Sequence, residues 1–109
     1  MRTLKFIVED QIIKQDPNCD FSDLVPGTEG YLRAEFSFSR EWLGFAKVIG
    51  FYSLMGTEYE PQSLDAKSSC VIPREALARH RFYIQVMGRH RTGTKLKTNK
   101  VMVHQNGGK

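Results

Sequence analysis

Residues 31–38 read Tyr-Leu-Arg-Ala-Glu-Phe-Ser-Phe, and their alternation decides the fold class. In an extended chain Leu32, Ala34, Phe36 and Phe38 fall on one side, and Tyr31, Arg33, Glu35 and Ser37 on the other. A period of two is the pattern of a strand with one buried face. The same alternation recurs on both sides of this stretch. Leu4, Phe6 and Val8 alternate with Thr3, Lys5 and Ile7. Phe82, Ile84 and Val86 alternate with Tyr83, Gln85 and Met87, and Val101 and Val103 with Lys100, Met102 and His104. Each segment predicts a strand with a core face.

Two further segments are apolar on both faces. Phe45 to Leu54 reads as a central strand covered on both sides, with Gly50 marking a bulge or a close backbone approach. Ser69 to Ile72 is short and ends at Pro73. Between these lie turn formers. Gln15 to Gly30 carries Asp16-Pro17-Asn18, Asp20, Asp23 and Pro26-Gly27, which predicts a long loop over 15–30. Pro73 to His80 predicts one short helical turn near 74–79, with Pro73 at the first helical position, Glu75 in the first turn and Arg79 and His80 in the last. Gly88 to Thr94 predicts a connection whose Gly88 and Gly93 suit positive φ, leading into a strand from Lys95 to Gln105. The segment 105–109, with Gly107-Gly108, reads as a loose tail. About seven short strands with one helical turn predict an all-β, antiparallel, immunoglobulin-like β-sandwich, as a single domain over 1–109. The Cys-Trp-Cys pattern of antibody domains is absent, and the lone Trp42 is expected to cap one end of the core.

Composition narrows the class. The chain has 109 residues, with seven Phe, four Tyr and one Trp, enough for one core and too aromatic for disorder. No apolar run approaches the roughly 18 residues of a membrane span, and Met-Arg-Thr-Leu-Lys is not a signal peptide, so a cytosolic site of synthesis is expected. Cys19 and Cys70 are read as free thiols, Cys70 buried and Cys19 the more exposed.

Charge is divided along the chain. Residues 1–66 hold six Lys/Arg against eleven Asp/Glu, a net of −5; residues 67–109 hold ten against one, a net of +9. Arg79, Arg81, Arg89, His90, Arg91, Lys95, Lys97 and Lys100 suit phosphate neutralisation, and Tyr83 suits base stacking. On a strand from Lys95, however, Lys95 and Lys97 share one face with Asn99 while Leu96 and Thr98 share the other. The same charges then form the solvated face of a terminal hairpin, where lysines also discourage edge-to-edge aggregation. A third alternative sets the acidic part of one copy against the basic part of another, in a head-to-tail array.

Catalytic patterns are missing. His80, His90 and His104 are spread over a helix end, a turn and a strand, none at metal-ligand spacing, so neither metal nor cofactor is expected. Asp20 and Asp23 with Ser22, and Glu58 with Glu60, read as turn and surface acids. Gly-Arg-His-Arg-Thr-Gly at 88–93 precedes a strand rather than the helix a phosphate cradle needs. No enzyme activity is expected.

Four segments carry a resemblance. Gly30-Tyr-Leu-Arg-Ala-Glu-Phe-Ser-Phe-Ser-Arg-Glu-Trp42, Ser69-Cys-Val-Ile-Pro-Arg-Glu-Ala-Leu77, Phe82-Tyr-Ile-Gln-Val-Met-Gly88 and Thr98-Asn-Lys-Val-Met-Val103 follow in an order that resembles the small immunoglobulin-like domains of phage and prophage tail, baseplate and fibre proteins, notably the N-terminal domain of baseplate upper proteins. The resemblance spans about residues 30–103. It implies a non-enzymatic, oligomeric virion structural or attachment module, assembled in the host cytoplasm and acting on protein partners. It transfers no functional residues, because the matching positions form the core. The residues' own pattern nominates Tyr31, Tyr83, Met87 and Met102, which point away from the core, together with Arg89, Arg91, Lys95 and Lys97, as a partner-binding set. A nucleic-acid-binding module and a phage-encoded inhibitor of a host defence protein are the alternatives. If the inward assignment is right, Phe36→Ala or Ile84→Ala lowers stability by about 2–5 kcal/mol; an unchanged melting temperature overturns it.

Overall fold

The alternating segments become strands whose apolar faces meet. A computed structural model describes residues 1–105, with β1 at Arg2–Glu9, β2 at Ile12–Gln15, β3 at Leu32–Phe38, β4 at Phe45–Tyr52, β5 at Gln62–Ser63, β6 at Ser69–Val71, α1 at Arg74–Leu77, β7 at Arg81–His90, β8 at Lys95–Lys97 and β9 at Val101–His104. The first sheet has the order β2-β1-β3-β6. The second runs β5-β4-β7, and β7 pairs with β8 along one half and β9 along the other. The fold is the expected all-β sandwich, with nine strands where about seven were expected. β2 and β5, four and two residues long, were not expected as strands, and the strand expected from Lys95 to Gln105 is divided into β8 and β9.

One pairing is parallel. β1 runs antiparallel to β2, and the chain then crosses through 16–31, so β3 lies along the other side of β1 in the same direction. The register sets Leu4 beside Ala34, Phe6 beside Phe36 and Val8 beside Phe38, so both alternations point inward together. Leu4, Phe6, Val8, Ala34 and Phe36 are buried against Ile49, Phe51, Phe82, Ile84 and Val86 of the second sheet.

Aromatic rings carry this core from one sheet to the other. Phe6 stacks on Phe36 at 5.4 Å, Phe36 on Phe38 at 6.2 Å, and Phe38 meets Trp42 at 5.6 Å. Trp42 in turn meets Phe45 at 5.8 Å, and Phe45 meets His90 at 5.2 Å. Trp42 sits at the end of a 3-10 turn over Arg40–Trp42 and is fully buried, the core cap the sequence suggested. Its Nε1–H donates to the Asp10 carbonyl at 2.7 Å, so the indole brings no orphaned donor into the core. Gly88 makes room for it: a Cβ there would lie 2.8 Å from Trp42 Cζ3. Gly88 therefore belongs inside β7, not to a turn of positive φ. Gly93, at φ +96°, takes the turn role.

The terminal hairpin also departs from expectation. Three residues lie between Lys97 and Val101 where two lie between the facing Met87 and Ile84, so the partner strand of β7 bulges at Thr98–Lys100. The buried Thr98 hydroxyl accepts the Val86 N–H at 3.1 Å, replacing a backbone partner lost at the bulge. Asn99 does not share the outer face with Lys95 and Lys97. Its Oδ1 accepts the Ile13 N–H at 2.8 Å and its N–H donates to the Gln11 carbonyl at 3.1 Å. With Gln11 Nε2 on the Lys97 carbonyl and Gln15 Nε2 on the Met102 carbonyl, these bonds fasten the β2 edge of one sheet to the β8–β9 edge of the other.

The loop over 16–31 is pinned by contacts, not by regular structure. The Arg2 guanidinium donates to the carbonyls of Asp20 at 2.9 Å and Ser22 at 2.6 Å, Leu24 is buried, and Phe21 meets Phe6 edge-on. The helical turn is shorter than expected, and Pro73, with ψ of 143°, is its N-cap, not its first helical residue. The expected loose tail is corrected at its first residue. Gln105 is fully buried; its N–H donates to the His80 carbonyl at 2.7 Å, and its Nε2 to the carbonyls of Leu77 at 3.0 Å and Arg79 at 2.7 Å. It thus satisfies carbonyls that a helix end leaves open. The remainder of that segment, 106–109, lies outside the described residues. Gln105→Ala is expected to cost about 1–3 kcal/mol, because those carbonyls stay buried without a donor; equilibrium denaturation in urea measures it.

Candidate functional site

The outer face of the second sheet collects most of the nominated residues. β7 presents Tyr83, Gln85, Met87 and Arg89 outward, since Phe82, Ile84 and Val86 face the core. Register then sets the neighbours. Ala46, Arg89 and Lys95 form one row across β4, β7 and β8, and Val48, Met87 and Lys97 the next. Toward the other end, Tyr52, Tyr83 and Met102 form a row across β4, β7 and β9. Tyr83, Met87, Arg89, Lys95, Lys97 and Met102 thus share one surface. Tyr31 does not, because it precedes β3 in the first sheet, and Arg91 lies in the β7–β8 turn. His90 faces the other way, its ring against Phe45 and its Nδ1 2.9 Å from the Thr92 hydroxyl.

At the Ala46 end this surface is a groove of about 650 Å³, with Ala46, Val48, Met87 and Leu96 as its apolar lining and Arg89, Lys95 and Lys97 as its cations. Val48 is 38% exposed, so the outer side of β4 is not covered by a further layer, contrary to expectation. The outward positions of β4, β7, β8 and β9 contain no Asp or Glu. Ion pairs among the described residues join Lys14 to Glu9, Arg33 to Asp65 and Arg74 to Glu75, and none involves the groove cations. At the groove end of this face the charge split of the sequence is therefore a split in space, whereas Glu58 bridges to Tyr52 at the far end.

Tyr52 shows how the rest of the face is filled. Gly50 is the predicted close approach: a Cβ there would lie 2.6 Å from Tyr52 Oη and 2.9 Å from Met87 Cε. The Tyr52 ring folds over this bare backbone, and Lys100 Nζ sits 4.0 Å from its centroid on a cation–π contact. Tyr52 is only 8% exposed, and burial, with Glu58 adding to it, raises its phenol above the ordinary value. Lys100 was nominated from sequence only as a cation suited to phosphate, and Val48 and Tyr52 were not nominated. Their signal was the two-sided apolarity of 45–54, which equally describes a strand with an exposed apolar face.

Other candidate chemistry resolves into structure. The Asp20 carboxylate accepts the Ser22 N–H at 2.8 Å and the Ser22 hydroxyl at 2.6 Å, bonds that close a turn and lower its pKa. Glu58 and Glu60 are exposed. Among the described residues, no three His, Cys, Asp or Glu side chains form a metal-binding group, and no helix is long and apolar enough to cross a membrane. Comparisons of the chain with family models, curated proteins and solved structures find no match.

Both cysteines are free. Cys70 is 3% exposed, and burial pushes its thiol up to about 12, whereas Cys19 is half-buried and receives the Lys5 N–H at its sulfur. Because the thiolate is the reactive form, iodoacetamide at neutral pH is expected to alkylate Cys19 in the folded protein and Cys70 only on unfolding. Peptide mass mapping after a short pulse reads this out, and early labelling of Cys70 contradicts it.

Proposed function

We propose that this chain is a non-enzymatic module that acts through protein–protein contacts and self-assembly, of the virion structural or attachment kind found in phage and prophage tails, baseplates and fibres. The observation that carries the reading is the outer face of the second sheet. Exposed apolar side chains lie among cations without acidic partners, an arrangement left to be completed by another surface. The order of elements supports the class. β3 leads to Trp42, β6 runs through Pro73 into α1, and Thr98-Asn99 opens the closing strand.

The free cations favour one rival, a nucleic-acid-binding module. Its weakness is the lack of a stacking platform: backbone and Lys100 enclose the Tyr52 ring, and Tyr83 is half-buried between Tyr52 and Met102. The two readings separate in one pair of measurements. Light scattering over a concentration series is expected to show a rising mean mass that falls as salt is added. A strict monomer that binds generic DNA or RNA, with an affinity that drops steeply with salt and is lost in Arg89→Glu/Lys95→Glu, transfers the assignment to the rival.

A further inference from the structure

The most exposed large apolar residue described is Met55, at 92%, and beside it Leu54 is 52% exposed. Both stand at the tip of the β4–β5 connection, and the shape of that tip is fixed. The Ser53 hydroxyl accepts the N–H groups of Met55 at 3.2 Å and Thr57 at 3.0 Å, the Ser53 N–H donates to the Thr57 carbonyl at 2.9 Å, and Gly56 supplies a φ of +89°. A turn held in this way loses little conformational freedom when its side chains are buried. The returning chain carries Glu58 and Glu60, exposed and outside every ion pair among the described residues. No Lys or Arg lies between Lys47 and Lys67.

The groove at the opposite end of β4 is the complement of this tip. Val48 and Met87 supply an apolar floor, and Arg89, Lys95 and Lys97 supply positive charge with no acid in the lining. A chain cannot serve its own groove. Val48 and Leu54 are six residues apart on and just beyond an extended strand, roughly 20 Å at about 3.3 Å per residue.

We infer that the groove receives the Leu54–Glu60 tip of a second copy of this chain. Met55 lies over Val48 and Met87, and Glu58 and Glu60 face Arg89, Lys95 and Lys97. An unbranched thioether suits an open floor built partly from another methionine. An apolar centre with a charged surround is the ordinary anatomy of a contact between proteins. Arg79 and Arg81 border the tip across a separate cleft, and neither glutamate lines it. Tip and groove are different patches, so the contact is heterologous. Each associated copy still offers one free tip or one free groove, and growth proceeds head to tail into a ring or a filament. The small area makes a single contact transient in free solution.

The inference rests on the contact-module reading and is tested apart from it. Met55→Asp disables the tip, and Lys95→Glu/Lys97→Glu disables the groove; all three positions are exposed, and unchanged melting temperatures verify the fold. In sedimentation velocity each variant alone is expected to stay monomeric at concentrations where the wild type associates. Their equimolar mixture is expected to form a two-chain species and nothing larger, because it holds one working tip and one working groove. A mixture that remains monomeric while the wild type associates overturns the tip-in-groove contact and leaves assembly by another surface standing. A wild type that stays monomeric across the series, or association undiminished in either variant, overturns it as well.

Discussion

Trp42 is the point through which the two sheets are held to one geometry. Its ring lies between Phe38 of the first sheet and Phe45 of the second, and its one polar atom is tied to the backbone turn that joins β1 to β2. A fully buried indole is a large part of the apolar area a chain this short can remove from water. It also dictates small details elsewhere. β7 must carry Gly88 where the ring presses on it, and β1 and β3 must share an inward phase to bring the line of Phe rings up to it. Once that end is set, the edges follow. Asn99 and Gln11 join β2 to the bulged partner of β7, which removes a row of unpaired backbone groups that would otherwise invite pairing with another chain.

The same packing explains why one outer face differs from the other. On the first sheet, Arg33 is paired with Asp65, which is held below its ordinary pKa first by the Lys67 N–H and also by the Ser69 N–H. Lys14 is paired with Glu9. Glu9 and Asp65 are thereby spent locally, and Asp16, Asp20, Asp23 and Glu29 sit in the loop over 16–31. The second sheet is built from β4, the two-residue β5 and the basic half of the chain, and the outward positions of β4, β7, β8 and β9 have no acid among them. A local excess of one sign beside apolar side chains is a surface suited to association more than to stability, since exposed ion pairs contribute little in either case.

Much of this was legible in the residues. The alternation of Leu32 to Phe38, and of the three segments like it, identified the core face of β1, β3, β7 and β9, because a strand exposes its sides with a period of two whatever it pairs with. Of the two readings of Gly50, a bulge or a close approach, the second holds, with side chains as what approaches, and Cys70 is the buried thiol expected. What failed did so where local pattern is silent. β2 is four residues long and owes its place to pairing with β1. Gln105 looks like the start of a polar tail, and only the proximity of the Leu77 and Arg79 carbonyls makes it a buried anchor. Val48 and Tyr52 belong to a run apolar on both sides, and nothing in such a run distinguishes a face covered by a second layer from a face left open. Most of the candidate surface was therefore named in advance, as cations and outward side chains of one hairpin, and its β4 side was not.

Sequence by itself determined that this chain is a two-layer β protein, which side chains of its longer strands turn inward, and that positive charge gathers in its second half. Alternation and charge are properties of neighbours along the chain, and short-range sterics and solvation are enough to set their consequences. Only the tertiary structure decided that β1 and β3 lie parallel, that Tyr31 and Arg91 part from the residues they were grouped with, and that the cations meet Val48 and Met87 in one groove. Those outcomes depend on pairing between residues far apart in the chain, where burial of the Trp42-centred core selects a single register among many that local pattern allows.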